Sequence, residues 1–233
     1  MSDQPKSVNT PADSDAKPEK ERSENTLVEA IKTVGLSVVL ALGIRTYIAE
    51  ARYIPSESML PTLEVNDRLI VEKLGYRFSS PKRGDVVVFE PTDELRDRDF
   101  KDAMIKRVIG LPGERVQLRD GRIFINGRPL TEAYIGDERH LTQSMVAGKK
   151  AGRNILPLTF DSGEQRTEVN VCGLDEKPFL TGPIVVPENS YLVLGDNRNR
   201  SYDSRCWGVV PGDRIIGQAV WRFWPLNRLG GLD

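Results

Sequence analysis

The chain of 233 residues has one histidine, His140, and two cysteines, Cys172 and Cys206. A zinc site draws three or four ligands from Cys, His and carboxylates, and neither a Cys-x-x-Cys nor a His-x-x-x-His pair occurs. No metal and no cofactor is therefore expected. A Ser-His-Asp triad would have to recruit His140, which lies in the polar stretch Gly136-Asp137-Glu138-Arg139-His140-Leu141-Thr142-Gln143, a composition that reads as an exposed loop. Net charge is also missing. The 33 Lys and Arg against 34 Asp and Glu leave −1, without the basic excess that marks a nucleic-acid partner. The two cysteines can pair in an oxidising compartment, provided their Cα atoms come within about 7 Å, and sequence alone does not supply that proximity.

Long hydrophobic runs are scarce too. Residues 1–26 are rich in Ser, Asp, Glu, Lys and Pro and cannot bury enough apolar surface to offset ordering entropy, so a disordered tail is expected. Residues 27–49 are apolar but carry Glu29, Lys32 and Arg45. The uncharged part, Thr33 to Ile44, makes about 18 Å of helix against a hydrocarbon core near 30 Å. Counted whole, the segment reaches about 35 Å, with Lys32 and Arg45 near ends where long stems snorkel. A spanning anchor, a buried core helix and an interfacial helix all fit this pattern. Lys17, Lys20, Arg22 and Lys32 lie on its N-terminal side and Arg45 and Arg52 on the other, a bias that places the N-terminal side in the cytoplasm if the segment spans.

What the chain does have is β signal. Arg68 to Glu72, Asp85 to Phe89 and Met104 to Ile109 are short and β-branched. Glu114 to Arg119 and Arg122 to Ile125 are separated by Asp120-Gly121 and followed by Asn126-Gly127, dipeptides that favour type I′ hairpin turns. Tyr191 to Leu194 and Arg214 to Trp224 add strands, and no βαβ rhythm is visible. The expected fold class is mostly β, an antiparallel sheet domain preceded by one N-terminal apolar helix, a transmembrane helix where it spans the bilayer. Thr131 to Gly182 is polar with only short apolar fragments. It reads as an inserted surface subdomain dividing a single domain of residues 50–130 and 183–233.

Three stretches carry chemistry. In Pro55-Ser56-Glu57-Ser58-Met59-Leu60-Pro61-Thr62-Leu63 two prolines fix φ around two serines. Such a turn either preorganises a hydroxyl and a backbone N–H toward one point or is a Ser/Pro turn and nothing more. In Met104-Ile105-Lys106-Arg107-Val108-Ile109-Gly110-Leu111-Pro112-Gly113 the two bases lie on opposite faces of a strand. Either both are surface charges at a strand edge, or Lys106 is a base, since Arg cannot accept a proton. Lys73, beside Glu72, is the next candidate. The third stretch, Gly195-Asp196-Asn197-Arg198 to Ser201-Tyr202-Asp203-Ser204-Arg205, begins as a common turn.

Taken together, in this order after an apolar segment, the three stretches resemble the signature blocks of type I signal peptidases (leader peptidases) of the bacterial type. These are membrane-bound serine proteases with a Ser/Lys dyad. The resemblance runs from about Leu27 to Pro225 with one large interruption. It implies Ser58 as nucleophile and Lys106 as general base, with Ser56 and Ser58 forming the oxyanion hole and Ser201 orienting the lysine amine. It implies structural ion pairs from Asp196, Asp203 and Arg205, and shallow pockets lined by Ile54, Met59, Leu63 and Ile105 for the side chains one and three residues before the cut. The sequence departs from the usual pattern at Asn199, Arg200 and Cys206. Arg200 either depresses the Lys106 pKa or points to solvent.

The implied activity is removal of signal peptides from exported preproteins after Ala-x-Ala-like sites. The implied partners are those signal peptides and the lipid bilayer, with no nucleic acid and no metal. The implied location is the cytoplasmic membrane, single-pass, with the catalytic domain on its outer face. Two other readings are a membrane-tethered β-rich binding or scaffold domain without catalysis, and a self-cleaving repressor-type Ser/Lys protease, which the anchor disfavours.

Overall fold

The computed structural model describes residues 19–119, 121–135, 172 and 178–232. Most of the tail over residues 1–26, most of the 131–182 interval and His140 lie outside these residues. The chain divides into two compact units at Ile44/Arg45.

Helix α1 spans Glu19–Tyr47. It begins before Leu27 because Ser, Glu, Lys and Arg are acceptable in a helix once apolar neighbours have nucleated it. Within it, Thr26–Tyr47 is long and apolar enough to cross a membrane by length and composition, at about 33 Å. Apolar residues occur on every side of this stretch rather than in one stripe, a pattern found in membrane spans and in helices buried all round.

From Arg45 onward the regular structure of the described residues is mainly antiparallel strand, as the short β-branched runs and turn dipeptides predicted. In chain order these are β1 Ala49–Tyr53, β2 Arg68–Glu72, β3 Val86–Phe89, β4 Met104–Gly110, β5 Arg115–Arg119, β6 Arg122–Ile125, β7 Arg128–Pro129, β8 Ile184–Val185, β9 Ser190–Leu194, β10 Val210–Pro211, β11 Ile215–Trp224 and β12 Gly230–Gly231. One sheet has the order β1-β2-β11-β3-β4-β9-β10, with β12 added on β11. A second has the order β7-β6-β5-β8. Asn126 and Gly127 have φ of 52° and 81° and join Ile125 to Arg128 directly, the turn those two residues favour.

Strand β11 bends the first sheet. Its register slips between Ile215 and Gly217, Ala219 and Trp221, and Arg222 and Trp224, and bulges of this kind increase local twist. Gly217 is required there, since an added Cβ would collide with the Glu72 backbone oxygen.

Three apolar clusters fill the domain. Val87, Phe89, Val108, Val193 and Trp207 lie in one. Ile54, Met59, Leu63, Leu69, Val86, Ala219 and Leu232 form another. Ile109, Val116, Ile123, Leu192 and Leu194 join the two sheets in the third. Strand β4 runs between β3 and β9 and contributes to two of these clusters, so both of its faces are covered.

Candidate active site

The first serine block is a turn held by its apolar residues. Glu57–Met59 forms one turn of 3-10 helix, pinned because Met59 and Leu63 are fully buried and Leu63 N–H donates to Met59 O at 2.9 Å. Ser58 is carried inward to 8% exposure, while Ser56 stays exposed with its hydroxyl 3.4 Å from that of Ser58. The third block grips the same turn. Asn197 donates from its backbone N–H to Ser58 O at 3.1 Å and from Nδ2 to Glu57 O at 3.0 Å.

Strand β4 supplies the partner. Lys106, opposite Val87 in β3 and 3% exposed, places Nζ 2.9 Å from Ser58 Oγ and donates to Ile105 O at 2.9 Å. Burial disfavours the charged amine and pushes its pKa down to about 8, against the pull of Asp203 and Asp196, while Arg205 pushes the same way as burial.

Arg107, its neighbour, is equally buried, at 4% exposure. A central strand covered on both faces keeps both basic side chains almost wholly out of solvent. Arg107 is accommodated by a bidentate pair with Asp196, at 2.9 Å and 2.7 Å, and by Gly84 O at 2.7 Å. Thr62 Oγ1 donates to the same carboxylate at 2.6 Å, and the Tyr134 ring lies 4.1 Å from the guanidinium.

Asp203, fully buried, forms the second ion pair. Arg205 donates to both carboxylate oxygens at 2.8 Å and 2.9 Å, and Gly195 N–H adds 3.0 Å. Burial alone would raise this carboxyl, but Arg205 holds it below the ordinary carboxylate range. Gly195 is required for close approach, since a Cβ there would strike Ser201 Oγ and Ser58 O.

Most residues singled out in the sequence therefore converge here, with some differences. Ser201 is buried, but its hydroxyl makes no hydrogen bond to Lys106; Ser58 and Ile105 O hold the amine instead. Arg200 does not point free into solvent, because its guanidinium pairs with Glu57, and the charges that act on Lys106 are Asp203, Asp196 and Arg205. Ile54, Met59 and Leu63 belong to the buried cluster, with half-buried Ile105 packed against it. Lys73 is committed to Glu50 at 2.7 Å and Arg45 O at 3.1 Å. Cys172 and Cys206 form a disulfide with Cα atoms 5.1 Å apart.

Sequence reasoning missed Arg107 as the partner of Asp196. It also missed Asp67, 1% exposed, on which Arg222 and Arg228 converge. The signal for Arg107 was its adjacency to Lys106 in a run whose other members are all apolar, which marks a strand buried on both faces.

Residues 27–224 match the family model of signal peptidase, peptidase S26. The chain belongs to this family. A signal peptidase I of Leptolyngbya laminosa is 52% identical over 91% of this chain and 86% of its own length. A probable signal peptidase I-2 of Synechocystis is 45% identical over 89% of this chain and 78% of its own. Among solved structures, a signal peptidase I from Enterococcus faecalis is 31% identical, covers 60% of this chain and 97% of its own, and gives a TM-score of 0.36. Membership in the S26 family makes the chain a serine endopeptidase.

Proposed function

We propose that this S26 peptidase removes signal peptides from exported preproteins by acyl-enzyme catalysis, with Ser58 as nucleophile and Lys106 as general base. The observation that carries the reading is the 2.9 Å approach of Lys106 Nζ to Ser58 Oγ, made by a lysine whose burial brings its pKa to about 8. Neutral Lys106 takes the Ser58 proton as Oγ attacks the scissile carbonyl. The oxyanion forms beside the Ser58 N–H and the Ser56 hydroxyl, donors held by the turn before the substrate arrives. The Lys106 ammonium then protonates the leaving amine, and on deacylation accepts a proton from water. Ser201 Oγ, buried in the third block without a hydrogen bond to Lys106 at rest, turns to the amine and orients it once it has become an ammonium.

The substrate lies extended, with main-chain hydrogen bonds supplying attachment. Ile105 faces it, and Ile54, Met59 and Leu63 form the floor beneath. A floor already packed admits Ala one and three residues before the cut and excludes larger side chains by overlap. Thr26–Tyr47 is the span that tethers the enzyme to the cytoplasmic membrane, with the N-terminal side inside and the catalytic domain on the outer face.

The test is cleavage of a peptide containing an Ala-x-Ala site. Lys106→Arg keeps the charge and most of the length but stays protonated, so near-complete inactivation is expected, as for Ser58→Ala. Wild-type activity should rise with pH on a limb centred near 8, where Lys106 loses its proton. Substantial turnover by purified Lys106→Arg would remove Lys106 from the mechanism.

A further inference from the structure

The short segment leading into the 131–182 interval makes contacts that the dyad itself does not explain. Glu132 precedes the single 3-10 turn Ala133–Ile135. Its carboxylate takes both terminal nitrogens of Arg198, one at 2.9 Å, with side-chain exposures of 7% and 13%. Arg198 is thereby fixed inside the third block. Its Nε donates to Gly195 O at 3.1 Å, and its own carbonyl accepts from Arg205 Nη2 at 2.7 Å. Two residues on, the Tyr134 ring covers the Arg107 guanidinium while its hydroxyl donates to Glu132 at 2.8 Å.

These contacts reach both ion pairs around Lys106: Asp196–Arg107 through Tyr134, and Asp203–Arg205 through Arg198. The far side of the interval reaches the same loop. Leu180 N–H donates to Arg205 O at 3.1 Å, and Cys172 is bonded to Cys206.

We propose that Glu132 and Tyr134 are positioning residues, which hold the third block through Arg198 and Arg107 and so keep Lys106 aligned on Ser58. The proposal rests on the dyad reading above. Among the described residues their hydrogen bonds, ion pair and ring contact go to each other, Arg198 and Arg107 and not to Ser58 or Lys106, so the effect belongs in kcat rather than in substrate affinity. Glu132→Gln keeps size but replaces one acceptor oxygen with an N–H donor facing Arg198 and removes its countercharge, so the loop must shift to hydrate the guanidinium. Displacements well below 1 Å at a reacting pair slow chemistry substantially.

The experiment compares wild type, Glu132→Gln and Tyr134→Leu on the Ala-x-Ala peptide, well below each protein's Tm, with near-UV circular dichroism reporting the folded fraction. Glu132→Gln should lower kcat about tenfold with KM unchanged. Tyr134→Leu, which spares the Glu132–Arg198 pair, should lower it less and again without a KM change, and it carries the test alone if Glu132→Gln does not fold. Wild-type kcat in the folded variants would overturn the proposal, as would a raised KM at constant kcat, which would place these residues against substrate. If wild type itself fails to cleave the peptide, or Ser58→Ala still cleaves it, the dyad reading falls instead.

Discussion

The two halves of the site are held by opposite means. The turn from Pro55 to Leu63 is fixed by apolar packing: Ile54, Met59 and Leu63 are buried to 2% exposure or less, and its one acidic side chain, Glu57, remains partly solvated. The loop from Gly195 to Trp207 is fixed by charge. Asp196 and Asp203 are wholly buried, each against a guanidinium, and Arg198 is closed in by Glu132. Apolar packing fails gradually, in proportion to the atoms removed. A buried ion pair fails in one step, because deleting either partner strands the other without water. Ser58, the proposed nucleophile, thus sits on the tolerant half. The environment that sets the Lys106 pKa sits on the intolerant one.

Asp196→Ala should break this contrast most sharply. It strands Arg107 in the middle of β4, between β3 and β9, and also deprives Thr62 of its acceptor. Loss of one partner from a buried pair costs about 3–5 kcal/mol, and denaturant titration should find a loss in this range. A loss under about 1 kcal/mol, the scale of an exposed pair, would mean that water reaches Arg107 and that the two halves do not differ in kind.

On the apolar half, Ile54→Val should cost only about 0.5–1.5 kcal/mol, the usual figure for one buried methylene, in the same titration. Because Ile54 lies in the floor cluster with Met59 and Leu63, peptides with a side chain slightly larger than Ala before the cut should also gain relative to Ala. A loss as large as that of Asp196→Ala would show that the serine turn is as brittle as the charged loop.

How much of this contrast was legible in the sequence follows from the kind of force involved. Central strands of the first sheet were readable because burial on both faces imposes continuous β-branched runs, as in Val86–Phe89 and Met104–Gly110. The Asn126–Gly127 hairpin was readable because few dipeptides adopt two successive positive φ values. Strand β1 was not, because Ala49–Tyr53 carries Glu50 and Arg52 directly after an apolar helix, and only pairing with β2 makes it a strand. Within the site, the meeting of Ser58 and Lys106 was expected from the resemblance and not from periodicity, while the Ser201 hydroxyl makes no hydrogen bond to the amine it was expected to orient. Ion-pair partners were the least legible part. Arg107 and Asp196 stand 89 positions apart, and nothing in local periodicity links two charges at that separation. The same holds for Glu132 and Arg198, 66 positions apart.

The smallest effect is expected where the two halves meet at the surface. Arg200 of the charged loop pairs with Glu57 of the serine turn, with side-chain exposures of 18% and 44%. A pair this open to solvent is worth at most about 1 kcal/mol, so Arg200→Gln should be nearly neutral in stability. Its effect on the pH profile is the more telling measurement. The groups that set the Lys106 pKa are its burial, then Asp203 and Asp196, then Arg205; Arg200 spends its charge on Glu57. The activity limb of Arg200→Gln should therefore keep its midpoint near 8. Had the Arg200 cation been depressing the lysine pKa, its removal would favour the ammonium and carry the limb to higher pH. An upward shift would thus join Arg200 to the buried set and move the boundary between the two halves onto the serine turn itself.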